Sequence, residues 1–281
     1  MKRILLATDF STRSDRALRR AALIAKAIGA TLQVVHVVDA DLPERFIDAD
    51  ISRAKTTLDQ LVASIGSVEA IEARDLIVVD DIHNGILKIA EEIQADLIII
   101  GPHRRRLRDI FVGTTAERLL QRSTIPLLIA IAPPVRDYRK ALLALHFNES
   151  SKAAGQSALH IGLFDHAEVV VMHAFDAPAE GHLKRSFATD DEVADYVLRE
   201  RGRASSELGT MVKELGLPPT SLMIESSDGA PSRTILDAAK EIEADLIVVG
   251  STRRKGIERT LVGSVTADVI RNSNGDILVL P

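Results

Sequence analysis

The segments Glu92-Ile93-Gln94-Ala95-Asp96-Leu97-Ile98-Ile99-Ile100-Gly101 and Glu241-Ile242-Glu243-Ala244-Asp245-Leu246-Ile247-Val248-Val249-Gly250 are identical at seven of ten positions and conservative at the other three. Each precedes a basic cluster and then a Gly-Thr or Gly-Ser pair, Gly113-Thr114 and Gly263-Ser264. Working outward, Ile4–Ser11 (ILLATDFS) matches Ala141–Asn148 (ALLALHFN), and Val34–Asp39 (VVHVVD) matches Val170–Asp176 (VVMHAFD). A repeat unit of about half the chain is too long for a solenoid turn and right for a duplicated domain. The sequence therefore divides into domains at 1–134 and 138–281, joined by the stiff Pro133-Pro134-Val135-Arg136-Asp137 linker.

Within the first half, Ile4–Ala7, Leu32–Val38, Leu76–Val79, Asp96–Ile100 and Leu127–Ile131 read as strands. They are continuously apolar rather than alternating, as in a parallel sheet covered on both faces. Leu18, Ala21, Ala22, Ala25 and Ile28 form a helical stripe, with Ser11 placed to cap its start and Gly29 to end it. The second half repeats the order, with strands near Ala141–Leu145, Ala167–Met172, Leu222–Ile224, Asp245–Val249 and Ile277–Leu280. Strand–helix alternation makes the fold class α/β, with a doubly wound sheet in each domain.

Composition removes several function classes. Hydrophobic residues make up 46% and charged residues 27% of the 281, the balance of a globular protein rather than a disordered one. The 35 basic and 40 acidic side chains leave a net charge of −5, and aromatics are 3%, so neither a nucleic acid nor an anionic membrane is an expected partner. With no cysteine, thiolate metal sites and cysteine nucleophiles are excluded, and a reducing, cytoplasmic setting is expected. The start, Met1-Lys2-Arg3 and then Ile4 to Ala7, departs from a signal peptide at Asp9, and no apolar run reaches membrane-span length.

In an open parallel sheet, ligands sit outside the carboxyl ends of the strands, so the residues after each strand matter most. After the first strand come Thr8 and Asp9; after the fourth come Gly101, His103 and Arg104, then Gly113, Thr114 and Thr115 opening a helix. Exposed amides, a hydroxyl and the helix dipole make this an anion site in principle, although a solvated loop with glycines of purely conformational use explains the spacing equally well. The second half offers Gly250, Arg253, Gly263, Ser264 and Val265.

These residues resemble the universal stress protein family, here as a tandem covering essentially the whole chain. The resemblance implies two Rossmann-like domains of the adenine nucleotide alpha hydrolase type, each a five-stranded parallel sheet flanked by four helices. It implies ATP or a related adenine nucleotide, with Mg²⁺, bound through Gly-x2-Gly-x9-Gly-Ser/Thr, with the acid after the first strand contacting the adenosine. Arg253 stands in place of the middle glycine in the second half, and His146 in place of the acid. In the first half Arg104 replaces the middle glycine and the spacing is one residue shorter, but Asp9 is retained. The first half is therefore the preferred nucleotide site, with Asp9 and Val38 framing the adenosine and Arg104 adding charge for phosphate.

No general base is identifiable near the expected phosphates, so no catalytic residue is assigned and any ATP hydrolysis is expected to be slow. No metal-ligand spacing is found: His160, His166, His173 and His182 are clustered without a tight pair and read as half-buried or surface side chains. Asp80-Asp81 reads as solvated charge, and His160-Ile161-Gly162 as a coincidental match to a nucleotidyl transferase motif. The apolar last strands of the two halves would be exposed edges unless they paired, as the family's final strands do, so a pseudo-dimer of the halves is expected. Nothing in the sequence forces a homodimer of the whole chain. The rival to a nucleotide-binding regulator is a nucleotide-free protein-interaction module with degenerate loops.

Overall fold

A computed structural model describes residues 2–102, 115–177, 189–217, 221–227, 229–251 and 262–281. The first half runs β1 (Arg3–Ala7), α1 (Thr12–Ile28), β2 (Thr31–Asp39), α2 (Glu44–Glu69), β3 (Ala73–Asp80), α3 (Ile82–Glu92), β4 (Leu97–Ile100), α4 (Thr115–Arg122) and β5 (Leu127–Ile129). The second runs β6 (Lys140–Ala144), α5 (Glu149–Ile161), β7 (Glu168–Phe175), α6 (Asp190–Leu215), β8 (Ser221–Ser226), α7 (Pro231–Glu241), β9 (Leu246–Gly250), α8 (Ser264–Asn272) and β10 (Asp276–Leu280). Each half is thus the doubly wound α/β unit read from the repeat.

Local chemistry sets the helix ends. Ser11 Oγ accepts from Ser14 N at the start of α1, and Gly29, at φ 64°, closes it by donating to Ala25 O. The stripe of α1 is buried at Ala17, Leu18, Ala21, Ala22, Ile24 and Ala25. Thr189 and Glu192 form a reciprocal capping box on α6, which Gly216 ends at φ 67°. Gly162, the third residue of the His-Ile-Gly string, is simply the left-handed end of α5 at φ 78°.

The strand order is β3-β2-β1-β4-β5-β10-β9-β6-β7-β8, one continuous ten-stranded sheet. All neighbours are parallel except β5 and β10, which pair antiparallel with Leu128 opposite Leu278. The halves therefore share their last strands, and the two would-be apolar edges cover each other. Because the strand directions reverse at that seam, the carboxyl ends of the two sets of strands open at opposite ends of the sheet. Two core layers follow. One face packs Leu18 of α1, Leu58 of α2, Ala158 of α5 and Leu208 of α6. The other packs Ile86 of α3, Leu119 of α4, Ile235 of α7 and Val269 of α8.

The seam is closed by a buried polar knot. Asp276, with 0% exposure, accepts from Ile131 N at 2.7 Å, Ala132 N at 2.8 Å and Tyr138 OH at 2.7 Å. Arg20 Nε of α1 lies 2.8 Å from the same carboxylate, an ion pair rather than an aligned hydrogen bond. The Arg20 guanidinium also covers the Tyr138 ring and donates to Arg136 O at 2.7 Å. Burial, reinforced by Asp276, holds the Tyr138 phenol well above its usual pKa, so it remains a donor. Arg20, Ile131 and Ala132 of the first half and Tyr138 of the second thus converge on one carboxylate of the second half.

Candidate functional site

The carboxyl ends of β1, β2 and β4 open into a cleft of about 310 Å³, walled by the starts of α1, α3 and α4. Apolar side chains of Val35, Val37, Ile82, Ile86 and Ile100 meet the polar groups of Thr8, Asp9, Ser11, Ser14 and Thr115 there, with Gly101 at the end of β4. Such a mixture of apolar walls and few convergent polar groups is the usual make-up of a small-molecule site.

The β1–α1 turn is tightly specified. Phe10 adopts φ 57°, a left-handed conformation that side chains other than glycine rarely take. Its amide donates to Thr8 Oγ1 at 3.1 Å, and the Thr8 hydroxyl donates to Ser14 Oγ at 3.1 Å. His36 Nδ1 donates to Thr8 O at 2.9 Å while its ring packs, tilted, against Phe10 at 4.4 Å between centroids. The turn therefore holds Asp9 at the cleft mouth, where Oδ1 accepts from Ser11 N at 3.0 Å and Ser11 Oγ at 2.5 Å. Burial works against the carboxylate, but the Ser11 hydroxyl and amide, Ser14 and the Arg13 charge outweigh it and keep Asp9 below its ordinary pKa.

Thr8, Asp9, Gly101 and Thr115 are thus brought together as the sequence led one to expect. His103, Arg104, Gly113 and Thr114 lie outside the described residues, as does Arg253 in the second half. Val38 does not line the cleft: alternation along β2 turns it to the opposite face, where it is 2% exposed, and Val37 takes its place. The end of β2 does line the cleft, through Val35, His36 and Val37. The sequence reading passed over His36, although a histidine recurs in both VVHVVD and VVMHAFD.

Gly101 has a specific steric reason to be glycine. A Cβ there would stand 2.9 Å from Arg13 O and 3.1 Å from Ser14 N, so the end of β4 packs directly on the first turn of α1. This close approach brings the two walls of the cleft together.

The second half repeats the corner with other side chains. His173 Nδ1 donates to Leu145 O at 2.8 Å and its ring stacks on Phe147 at 3.8 Å, matching His36, Thr8 and Phe10. His173 is 7% exposed, more deeply buried than the half-buried or surface reading of its sequence cluster, whereas His160 and His166 are exposed. Asn148 caps α5 by accepting from Ser151 N at 2.7 Å, as Ser11 caps α1. His146 stands where Asp9 stands, exposed and with its amide donating to Ser151 Oγ. Gly250 ends β9, and its carbonyl accepts from Thr266 Oγ1 at 2.8 Å, tying it to the helix that begins at Gly263, Ser264 and Val265. Ser251 is 7% exposed, and its hydroxyl has no hydrogen-bond partner among the described residues.

Asp81 is not simply solvated charge: its Oδ1 caps α3 by accepting from His83 N and Asn84 N, both at 3.2 Å. Among the described residues, no helix is long and apolar enough to cross a membrane.

Comparison with known proteins adds the family dimension. The model of the universal stress protein family matches twice, over residues 1–130 and 137–281. A universal stress protein of Methanocaldococcus jannaschii is 31% identical over 150 residues, 51% of this chain and 82% of that protein. The crystal structure of a universal stress protein from Archaeoglobus fulgidus covers 99% of this chain and 97% of its own, with a TM-score of 0.76 at 22% identity. Another from the same organism, solved in complex with dAMP, covers 46% of this chain and 97% of its own at 28% identity and a TM-score of 0.37.

Proposed function

The chain belongs to the universal stress protein family, twice in tandem, and from that premise we propose that its first half binds ATP or a related adenine nucleotide as a regulatory signal in the cytoplasm. What carries the reading is the cleft itself. Its volume of about 310 Å³ suits a nucleoside, and its walls divide into an apolar part and a hydroxyl- and carboxylate-bearing part. Val35, Val37, Ile82 and Ile86 would enclose the base. Asp9, ionised and fixed by Ser11, would accept from the ribose hydroxyls. Thr115, at the start of α4, would turn its hydroxyl and the positive end of the helix towards the phosphates, with Mg²⁺ as their counter-ion. The second half, with His146 in place of the acid, serves chiefly as the pairing partner in this reading.

The test is mass spectrometry of ligand released from the purified, denatured protein, followed by calorimetric titration with ATP. Co-purified adenine nucleotide, or binding that Asp9→Ala weakens, is the expected result. No released nucleotide and no heat at millimolar ATP would overturn the reading.

A further inference from the structure

The first half carries a side-chain cluster that the described residues of the second half do not repeat. His83, the second residue of α3, is 6% exposed and lies between Asp81 and two arginines of α4. Its Nδ1 contacts Asp81 Oδ1, and its Nε2 lies 3.2 Å from Arg122 Nη1, which also donates to Asn84 Oδ1 at 2.8 Å. Arg118 Nη1 is 3.8 Å from Asp81 Oδ2 and 3.4 Å from His83 Nδ1.

Hydrogen-bond chemistry assigns the tautomer. Nδ1 meets the Asp81 carboxylate, which can only accept, more closely than it meets Arg118, so the ring proton sits on Nδ1 and Nε2 offers its lone pair to the Arg122 guanidinium, which can only donate. The ring is therefore a neutral link between a carboxylate on α3's cap and an arginine on the last turn of α4. Among the described residues, the charged groups facing it are Asp80 and Asp81 from the β3–α3 turn and Arg118 and Arg122 from α4. Burial lowers its affinity for a second proton, Asp81 and Asp80 oppose that, and the two arginines add to it, with a net fall below the ordinary histidine pKa.

The cluster bears on the cleft because α4 does. Thr115 and Ala116, in its first turn, line the cleft, while Arg118 and Arg122 tie its later turns to α3. At the matching places the second half has Ser232, Asp268 and Asn272, and Asp268 pairs with Arg271 on its own helix instead.

We propose that His83, acting through Arg122, is a positioning residue for the first-half site: its neutral ring holds α4 where Thr115 faces the ligand, and protonation at Nε2 expels Arg122 and loosens the helix. This inference rests on the cleft taking an adenine nucleotide. Acidification thus weakens binding through a group that does not touch the ligand.

The experiment is ATP titration calorimetry on the full chain between pH 7.5 and 5.0, for the unaltered protein and for His83→Ala, His83→Gln and Arg122→Ala. His83→Ala and Arg122→Ala are expected to weaken binding about tenfold at pH 7.5, the worth of one charge-assisted hydrogen bond. His83→Gln, whose side-chain carbonyl can still accept from Arg122, is expected to rescue most of that loss and to give a flatter pH profile than histidine. Comparing profiles removes the nucleotide's own titration. If the histidine variants fold poorly, amide exchange of residues 115–122 reads the same event, faster in Arg122→Ala and unchanged in Asp268→Ala. Binding with parallel pH profiles for His83 and His83→Gln, or exchange unaltered in Arg122→Ala, overturns this inference alone. No binding by the unaltered protein at any pH overturns it together with the nucleotide reading.

Discussion

The two halves build the same corner and equip it differently. In both, a histidine of the second strand donates to the carbonyl just after the first, an aromatic ring packs against it, and a short polar residue caps the following helix. The first half then places Asp9 at the mouth, and the second places His146. The first ties α4 to α3 through His83, and the second has Ser232 and Asn272 there. Duplication thus preserved the scaffold that makes a strand end rigid, while the groups that would face a ligand diverged. Backbone-directed hydrogen bonds hold the fold of this corner, and the side chains beyond them are free to change its chemistry.

The largest test of the comparison concerns whether the halves are independent. The buried knot at Asp276 has no counterpart at the start of β5, where Pro126 stands. Asp276→Ala leaves Arg20 charged and buried and strips three donors of their acceptor, so a loss of about 3–5 kcal/mol is expected. Chemical denaturation should show it as a shift of a single transition reporting both halves; two separated transitions in the unaltered protein would break the view of one cooperative unit.

Next in size is the contrast between Asp9 and His146. Asp9→Ala should weaken ATP binding by about 10- to 100-fold, as expected for a lost hydrogen bond to a charged acceptor. His146→Ala should leave the affinity unchanged, and calorimetry on both variants shows which half holds the ligand. The reverse result assigns the site to the second half.

A smaller effect distinguishes glycines by their surroundings. Gly101→Ala pushes a methyl against Arg13 O at 2.9 Å and should cost about 1–3 kcal/mol, narrowing the cleft as it does so. Gly202, inside α6 with no described residue within 4 Å of its Cβ position, should gain about 0.5–1 kcal/mol from the same change. Thermal melts of the two variants should therefore move in opposite directions.

The smallest expected difference lies in the caps. Asn148→Ala removes one cap bond from α5 and should cost about 1 kcal/mol. Ser11→Ala should cost a similar amount in stability and also weaken nucleotide binding, because Ser11 holds Asp9 as well. Equal effects of the two variants on binding would show that capping alone matters at this corner.

Much of this was legible in the amino-acid order because it is local. The ten-residue repeat, the continuous apolar strands, the Ser11 cap and the Gly29 stop depend on residues close in sequence, and each lies where its pattern placed it. The lining of the cleft was legible at Thr8, Asp9, Gly101 and Thr115, which follow strand ends or open a helix. What the sequence determined by itself was therefore the α/β order, its duplication and the strand ends that matter. Only the tertiary structure decided that Val37 rather than Val38 meets the cleft, since a face is chosen by what packs on each side of β2. It alone decided that Arg122 of α4 reaches His83 of α3, and that Asp276 receives Arg20, Ile131 and Ala132 from the other half together with Tyr138 from its own. The partners of a buried charge are brought together by folding from distant parts of the chain, so local pattern cannot name them.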